Sequence, residues 1–389
     1  MLPVVRIVIA PDKFKGTLDA DAVADAIAVG VRRVHPGAEL LLRPVADGGD
    51  GTVAAAVRAG WLTRTVPVTG PDGAARTAVL ALGVDTALVE LATAAGLHLA
   101  PPAPLTASTR GVGELVRAAL DTGVSRVVVG IGGSATTDAG AGMLAALGVR
   151  LLGADGAELP PGGAALAGLE RLDVTGLDPR LARVEVVIAT DVDNPLTGPD
   201  GAAAVFGPQK GATPEDVRVL DAALARFAAV VRRDLGVEVD AVPGAGGAGG
   251  TAAGALAVLG ARITSGADLV CDLVGLSSAL AGADLCLTGE GALDAQTLSG
   301  KAPAVVARRA AAAGVPCLGL AGVVRLGEQE LAAAGFTGAH GLTDLEPDLA
   351  VCLAEPARLL ADLAEQALAS STLAPSDDGQ DPFRTDSGS

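Results

Sequence analysis

The residues Ala10-Pro11-Asp12-Lys13-Phe14-Lys15-Gly16 join a predicted strand to a predicted helix. Residues 4–10 are rich in β-branched side chains and predict a strand that is buried on both faces, whereas the amphipathic residues 19–34 predict a helix. Strand, loop and helix in this order open a doubly wound sheet, in which ligands bind at the carboxyl ends of the strands. We therefore expect Asp12, Lys13 and Lys15 at a binding edge.

Lysine is rare in this chain and is confined to loops. Of the 28 basic residues only four are lysines, and they occur in the loops DKFKG, PQKG and SGKAP as Lys13, Lys15, Lys210 and Lys301. A lysine is a compact charge on a flexible stem that can reach a phosphate oxygen, whereas surface ion pairs accept arginine equally well. These lysines therefore indicate phosphate binding. The alternative is that they lie in loops only because loops are exposed.

Length and charge exclude several classes of protein. The 389 residues predict about two domains, and half of the residues are hydrophobic, which is enough for two cores. A net charge of -17 without any basic stripe argues against a nucleic-acid or anionic-membrane partner. The chain has neither an apolar run of membrane-spanning length nor the features of a signal peptide, so we expect a cytoplasmic protein.

The positions of the cysteines and histidines limit the kinds of catalytic and metal site that the chain can form. The four cysteines show no CxxC spacing, and the three histidines lie outside the glycine-rich loops. A zinc site and Ser-His-Asp hydrolysis are therefore not expected. If the protein is an enzyme, its base should be a carboxylate or a lysine.

A second loop, 46–52, also joins a predicted strand to a predicted helix, as the first loop does. Asp47, Gly48 and Gly49 follow a predicted strand at 40–45 and precede a predicted helix. Glycines let the backbone approach a ligand at a helix start, where free N–H groups favour anions. A plain turn is the alternative interpretation.

The most glycine-rich candidate is the segment 130–142, which reads GIGGSATTDAGAG directly after a predicted strand. Glycines after a strand, followed by hydroxyl groups at the start of a helix, are typical of backbone amides that surround phosphate or carboxylate. The segment is neither a P-loop nor a GxGxxG dinucleotide loop. Its candidate binding residues are Gly132, Gly133, Ser134, Thr136 and Asp138.

A pair of acids follows the predicted strand at 184–189. Asp191 and Asp193 alternate before an Asn-Pro turn, and paired carboxylates are what Mg²⁺ uses when it also holds nucleotide phosphates. The alternative is an Asx turn that needs only one acid. Lys210 follows nearby in the loop 206–211. A glycine tract at 243–251 predicts either a flexible linker or another anion-binding helix start.

Strands and helices alternate regularly again from residue 284 onward, where a strand leads into a loop with Glu290 and Asp294. We interpret the chain as one Rossmann-like sheet with three strands before and three after an irregular section, in the order 3-2-1-4-5-6. This order places the strand at 284 beside the first strand and makes the loops of Glu290 and Lys13 face each other. The turn signals at 69–73 indicate either a crossover between domains or a hairpin.

The motifs in this order resemble those of the bacterial glycerate kinases of the glycerate 2-kinase type. The resemblance covers roughly residues 5–370 and rests on IAPDKFKG, ADGGDGT, VTGPDG, GIGGSATTDAGAG, ATDVDNPLTGP, FGPQKGATPE and LTGEGALDAQTLSGKAP. It implies a flavodoxin-like domain plus a second α/β domain, and transfer of the γ-phosphoryl of ATP to D-glycerate with Mg²⁺. The implied product is 2-phosphoglycerate, with 3-phosphoglycerate still open. The chain departs from the family pattern at Thr137, Asp50 and Ala292, which replace an Asn, a Glu and a basic residue.

The sequence therefore predicts an α/β protein. A discontinuous flavodoxin-like domain (1–68 and 283–370) is interrupted by an inserted α/β domain (69–282) and followed by a disordered tail (371–389). ATP, Mg²⁺ and D-glycerate are the expected cofactors and substrate, with neither nucleic acid nor membrane as a partner and a homodimer left open. The alternatives are a kinase for another small hydroxy acid and a non-catalytic protein that binds a nucleotide or an organic acid.

The predicted site residues fall into three groups. The catalytic candidates are Lys13, Asp191 and Lys210, and the metal candidates are Asp191 and Asp193. The candidates for binding substrate or phosphate are Asp12, Lys15, Asp47, Gly48, Gly49, Gly132, Gly133, Ser134, Thr136, Asp138, Glu290, Asp294 and Lys301.

Overall fold

The computed structural model describes residues 4–298 and 300–369, and the tail expected at 371–389 lies outside them. In these residues the strands are, in chain order, β1 (Arg6–Ile9), β2 (Glu39–Leu42), β3 (Leu62–Thr69), β4 (Ala75–Leu82), β5 (Thr86–Glu90), β6 (Arg126–Gly130), β7 (Arg150–Leu152), β8 (Arg171–Asp173), β9 (Glu185–Ala189), β10 (Arg262–Thr264), β11 (Leu285–Thr288), β12 (Ala292–Leu293), β13 (Cys317–Ala321), β14 (Val323–Val324) and β15 (Gly338–Gly341). Strands and helices alternate over much of the chain, as in an α/β fold.

The α-helices of the same residues are α1 (Ala20–Val34), α2 (Thr52–Arg58), α3 (Ala92–Ala95), α4 (Arg110–Leu120), α5 (Ala141–Ala146), α6 (Ala202–Phe206), α7 (Pro214–Leu235), α8 (Gly247–Leu259), α9 (Gly266–Leu273), α10 (Leu276–Leu280), α11 (Ala295–Leu298), α12 (Ala302–Ala312), α13 (Glu328–Ala333), α14 (Leu342–Leu345), α15 (Leu349–Ala354) and α16 (Pro356–Ala369). Short 3-10 turns occupy Gly163–Gly168, Pro179–Arg183 and Pro208–Lys210. Among the helices that the structure describes, none combines the length and the apolarity that a bilayer crossing needs.

The chain divides into two compact units. Among the described residues, the first unit contains 4–43, Ser277–Asp294 and 306–369. The second unit contains Pro44–Leu276 and Ala295–Val305.

The main sheet of the first unit is parallel throughout its described strands, in the order β2-β1-β11-β13-β15. Numbered within the unit, this order is 2-1-3-4-5, which is that of flavodoxin-like sheets. The expected order 3-2-1-4-5-6 is therefore wrong. The predicted pairing of the strand at 284 with the first strand is confirmed, since Ile7 lies opposite Leu285. The side chains of Ile7, Val8 and Ile9 are fully buried, as expected for a strand covered on both faces.

Helix α1 forms where its sequence pattern predicts it. The Asp19 carboxylate caps the helix by accepting a hydrogen bond from the backbone N–H of Ala22 over 2.8 Å. Val23, Ile27 and Val31 recur at helical spacing and are fully buried in the apolar core of the first unit, which α16 also lines. This burial holds the helix against its sheet.

The sheet of the second unit has the order β10-β9-β6-β5-β4-β3. Strands β10, β9, β6 and β5 run parallel, while β4 and β3 are antiparallel to their neighbours. The largest apolar cluster contains Val127 and Val129 of β6, Leu115 of α4 and Phe227 of α7, all fully buried. The carboxyl ends of β5, β6 and β9 therefore stand side by side on a rigid base.

Strand β3 overturns one expectation from the sequence. Residues 1–68 were expected in a single domain, but β3 pairs along its whole length with β4 and is the edge strand of the second unit's sheet. The turn signals at 69–73 thus mark a hairpin. The physical reason is local: two adjacent strands joined by a short turn pair antiparallel, whereas a parallel partner needs a crossover of a dozen or more residues. The interpretation of three strands on each side of the irregular section was therefore wrong.

We predict that Leu360→Ala in α16 lowers the free energy of unfolding by about 2–5 kcal/mol, because the fully buried side chain leaves a cavity in the first unit's core. Urea unfolding measures the change. The matched control is Leu353→Ala, whose side chain is 56% exposed and which should change stability by about 0.5 kcal/mol or less. Equal losses in the two variants would contradict the packing described for α16.

Candidate active site

Two loops lie side by side at the carboxyl ends of β1 and β11 in the first unit. We call residues 10–16 the lysine loop and residues 288–294 the glutamate loop. The backbone N–H of Asp12 donates a hydrogen bond to the carbonyl oxygen of Gly289 over 2.8 Å. The predicted proximity of these loops is thus confirmed, and it follows from the pairing of β1 with β11.

The carboxyl groups of the two loops are buried, whereas the lysines reach the surface. Asp12 is 6% and Glu290 is 8% exposed, while Lys13 is half-buried and Lys15 is exposed. The Asp12 carboxylate accepts a hydrogen bond from the backbone N–H of Lys13 over 2.7 Å. Asp294 is half-buried at the end of the glutamate loop. The lysine loop therefore combines a buried carboxyl group with one half-buried and one exposed lysine.

The glutamate loop is also held from its other side. The backbone N–H of Gly322 donates to the Glu290 carbonyl over 3.2 Å, and that of Val323 donates to the Gly291 carbonyl over 3.1 Å. Ala292 pairs through its backbone with Val323 as part of β12. This pairing fixes the loop backbone whatever side chain position 292 carries.

In the second unit, the glycines of residues 47–51 lie against another loop. Gly48 adopts a φ of +80°, which favours glycine, and its carbonyl oxygen fills the space that a side chain at Gly130 would need. A Cβ at Gly49 would lie 3.1 Å from the Cα of Gly132. These glycines were expected to let the backbone approach a ligand. They first of all let two backbone segments approach each other.

Asp47 and Asp191 form the carboxylate pair of the second unit. The Asp47 carboxylate accepts a hydrogen bond from the backbone N–H of Gly49 over 3.1 Å. The two oxygens of Asp191 accept from Gly266 and Ala267, each over 3.0 Å, at the start of α9. Burial raises the pKa of Asp191 to about 6, and the negative charge of Asp47 raises it further. Asp191 is therefore both a helix cap and a carboxylate with a raised proton affinity.

The donor set near Asp191 fits a magnesium ion that is held partly by substrate. Mg²⁺ usually takes one or two protein carboxylates together with phosphate oxygens and waters. Asp47 and Asp191 supply two carboxylates, whereas Asp193 is exposed. Within residues 4–298 and 300–369, no group of three or more His, Cys, Asp or Glu side chains could hold a metal ion. A protein-only metal cage is thus absent from the part of the chain that the structure describes.

Lys210 lies inside the second unit. It is 2% exposed, and its Nζ donates to Ser134 Oγ over 2.9 Å and to the carbonyl oxygen of Thr136 over 2.6 Å. Burial lowers the pKa of Lys210 to about 7, although the charge of Asp138 counteracts this. A neutral amine has two N–H groups, which suffice for both bonds. Lys210 therefore ties its own segment to the glycine-rich segment 130–142.

Asp138 is a buried anchor of that segment. It is fully buried, and its carboxylate accepts hydrogen bonds from the N–H and hydroxyl of Thr109, both over 2.9 Å, and from the N–H groups of Gly140 and Gly142. Burial raises the pKa of Asp138, while these bonds lower it. Thr136 is also fully buried. The exposed part of the segment near the strand end is Gly133.

Lys301 stands apart from Lys210 in sequence and in burial. It is half-buried, and its Nζ lies 3.4 Å from Gln296 Oε1 within the segment 295–305 of the second unit. The four lysines thus do not share one environment. Lys210 is internal, whereas the others reach the surface to different degrees.

Sequence reasoning missed Glu90 and Thr109. Glu90 is the last residue of β5 and is 3% exposed, and Thr109 is fully buried against Asp138. A signal for Glu90 was present: an acid that directly follows three apolar residues of a predicted strand must sit at a buried strand end. A buried acid there needs hydrogen-bond donors, and nearby helix starts supply them.

Loops with lysines and buried carboxylates at the ends of parallel strands are typical of α/β enzymes that transfer phosphoryl groups, and these units define a protein of that class. The profile of the glycerate kinase family matches residues 7–372, and the chain belongs to that family of phosphotransferases with an alcohol group as acceptor. Glycerate kinase from Bacillus subtilis (strain 168) is 49% identical over 326 residues, which are 82% of this chain and 85% of that protein.

Two further comparisons agree. Glycerate 2-kinase from Escherichia coli (strain K12) is 44% identical over 323 residues, which cover 82% of this chain and 85% of that protein. The crystal structure of a provisionally assigned glycerate kinase 2 from Salmonella typhimurium LT2 is 43% identical, with a TM-score of 0.78 and coverage of 94% of this chain and 99% of that one. The resemblance drawn from the motifs is thereby confirmed.

We predict that Lys210 makes the protein more stable as the pH rises above about 7. Between a folded pKa of about 7 and the ordinary value of 10.5, the unfolded chain binds a proton that the folded chain does not, so the free energy of unfolding increases with pH. The slope is at most about 1.4 kcal/mol per pH unit. Urea unfolding between pH 7 and pH 9 measures it.

The variant Lys210→Met removes the titrating group and should flatten this slope. Lys15→Met is the matched control, because Lys15 is exposed and its loss should leave the slope as in the wild type. An unchanged slope in Lys210→Met would show that Lys210 stays protonated in the folded protein.

Proposed function

We propose that the chain transfers the γ-phosphoryl group of ATP to D-glycerate and releases ADP and 2-phosphoglycerate, with Mg²⁺ as the cation. Membership of the glycerate kinase family supports both the kinase activity and glycerate as the acceptor. The position of the transferred group rests on one observation: the Escherichia coli relative, 44% identical over 82% of this chain, is a glycerate 2-kinase.

Phosphoryl transfer depends on positioning and on neutralising charge more than on a strong base. Lys13 and Lys15 of the lysine loop supply compact ammonium groups on flexible stems, which can approach phosphate oxygens. Asp47 and Asp191 supply carboxylates that would hold Mg²⁺ together with the phosphates, and the bound ion would neutralise charge on the transferred group. The buried carboxyls of Asp12 and Glu290 belong to the two adjacent loops of the first unit, and that of Asp12 accepts the backbone N–H of Lys13.

The glycine-rich segment can offer backbone rather than side chains to an anion. Ser134, Thr136 and Asp138 are buried, and Ser134 Oγ, the backbone carbonyl of Thr136 and the Asp138 carboxylate take part in hydrogen bonds within the second unit, whereas Gly132 is half-buried and Gly133 is exposed. We therefore assign phosphate contact to the backbone at Gly132 and Gly133. Lys210 acts as a positioning residue for this segment, because both of its hydrogen bonds are internal.

The experiment is an assay of ADP release coupled to NADH oxidation, with ATP, Mg²⁺ and a panel of small hydroxy acids. D-glycerate should give the highest kcat/KM, and the phosphorus NMR spectrum of the product should be that of 2-phosphoglycerate. A spectrum of 3-phosphoglycerate would overturn the assigned position. A higher kcat/KM for another hydroxy acid would show that this acid is the substrate. Binding of ATP or glycerate without ADP release would show that the protein binds these ligands but is not a kinase.

We predict that Asp191→Asn lowers kcat/KM by at least about tenfold, roughly 1.4 kcal/mol of barrier, because the amide binds a divalent cation poorly. Raising the Mg²⁺ concentration should recover part of the loss. The matched control is Asp200→Asn, a change at an exposed acid in the same region that should stay within about twofold of wild type. Wild-type kinetics in Asp191→Asn would remove this residue from the cation site.

We predict that Lys13→Arg lowers kcat by at least about fivefold, roughly 1 kcal/mol, with a smaller change in KM. The substitution keeps the charge but replaces a compact ammonium by a broad planar group, which a purely electrostatic role would tolerate. Steady-state kinetics with saturating glycerate measure the effect. Arg218→Lys, at an exposed ion pair with Glu215, serves as the control for exchange of cations. If both variants match wild type, Lys13 has no specific role in the transfer.

A further inference from the structure

Glu90 ends β5 with a carboxyl group that is buried beside the loop of Asp47. The residue is 3% exposed and lies opposite Gly130 of β6 in the parallel pairing. Its Oε2 accepts a hydrogen bond from the backbone N–H of Val53 over 3.0 Å, and its Oε1 accepts one from Gly51 over 3.3 Å. One side chain of the sheet therefore binds two backbone donors of a loop that is distant in sequence.

These bonds replace a cap that helix α2 lacks. The residue before the helix is Gly51, which has no side chain to accept a hydrogen bond and adopts a φ of +103°. The N–H groups in the first turn of a helix have no partner within the helix, and a buried carboxylate is costly unless it is hydrogen-bonded. Glu90 satisfies both requirements at once. The position of Glu90 is therefore determined by the backbone donors that it binds.

The loop between Asp47 and α2 is consequently held at three points. Glu90 holds Gly51, the hydroxyl of Thr52 donates to the Gly49 carbonyl over 2.6 Å, and Gly48 packs against the end of β6. Of these contacts, only that of Glu90 is made by a charged side chain. Removal of its acceptors would take these hydrogen bonds from the N–H groups of Gly51 and Val53, where α2 begins.

We propose that Glu90 is a positioning residue for phosphoryl transfer, which fixes the loop backbone so that Asp47 is held in its working position. The inference rests on the proposed function, in which Asp47 takes part in binding the cation and phosphate. At 3% exposure the Glu90 carboxylate is too deeply buried to contact the substrate itself. Its effect on catalysis therefore passes through the loop.

The test is a double-mutant cycle that combines Glu90→Gln with Asp47→Asn. Glutamine keeps the size of the side chain but turns one acceptor into an N–H₂ group that faces a backbone donor. Glu90→Gln alone should lower kcat by at least about tenfold. In the Asp47→Asn background it should lower kcat by no more than about twofold, because residues that act through one another are not additive.

The control is Asp234→Asn, which removes an acidic acceptor of the Leu172 backbone N–H, 2.9 Å away, elsewhere in the second unit. It should lower the melting temperature while kcat stays near wild type. If Glu90→Gln does not fold, the same cycle is carried out with Glu90→Asp. Aspartate keeps the negative charge, but its shorter side chain moves the carboxylate away from the N–H groups of Gly51 and Val53.

Each outcome bears on the inference. Non-additive losses in the cycle support it. Additive losses, or a kcat of Glu90→Gln within about twofold of wild type, overturn it while the proposed function stands. A wild-type protein that forms no ADP from ATP and glycerate overturns the proposed function itself.

Discussion

The contact between two stretches of glycine backbone is the constraint on which the second unit depends. Because Gly48 lies against the end of β6, the loop that carries Asp47 packs directly on the carboxyl end of the sheet. Interiors are close-packed, so a contact of this kind leaves no room for side chains or for water. The polar backbone groups of the loop still need hydrogen-bond partners. Charged side chains are therefore required at the positions that these groups face.

Glu90 meets that need for the Asp47 loop, and two further carboxylates of the second unit bind backbone N–H groups of other segments in the same way. Glu90, Asp138 and Asp191 each accept hydrogen bonds from two or more backbone N–H groups. A desolvated carboxylate is expensive by itself, and hydrogen bonds to its charged form lower its pKa again. Asp191 keeps a pKa of about 6 in spite of such bonds, since burial and the charge of Asp47 outweigh them. The same groups thus organise the loops and set the electrostatics of the candidate site.

Much of the first unit could be predicted from sequence. The buried strand at 6–9, helix α1 and the proximity of the lysine and glutamate loops all follow from local pattern and from the rule that parallel strands share an edge. The placement of β3 could not, because a half-exposed strand fits either sheet and only the adjacent hairpin partner decides. The burial of Lys210 could not be predicted either, since composition reveals that a lysine is unusual but not that it is buried.

The edge strand β3 carries features that hinder pairing with a strand of another chain. An open strand edge offers unpaired N–H and C=O groups to any neighbouring chain, which is a common route to aggregation. Here Pro67 has no N–H to offer, and the N–H of Thr69 is already bonded to the Glu114 carboxylate over 2.6 Å. Arg64 adds a charged side chain that bonds the Ala118 carbonyl of α4. The edge of β3 is thereby a poor template for the addition of a strand from another molecule.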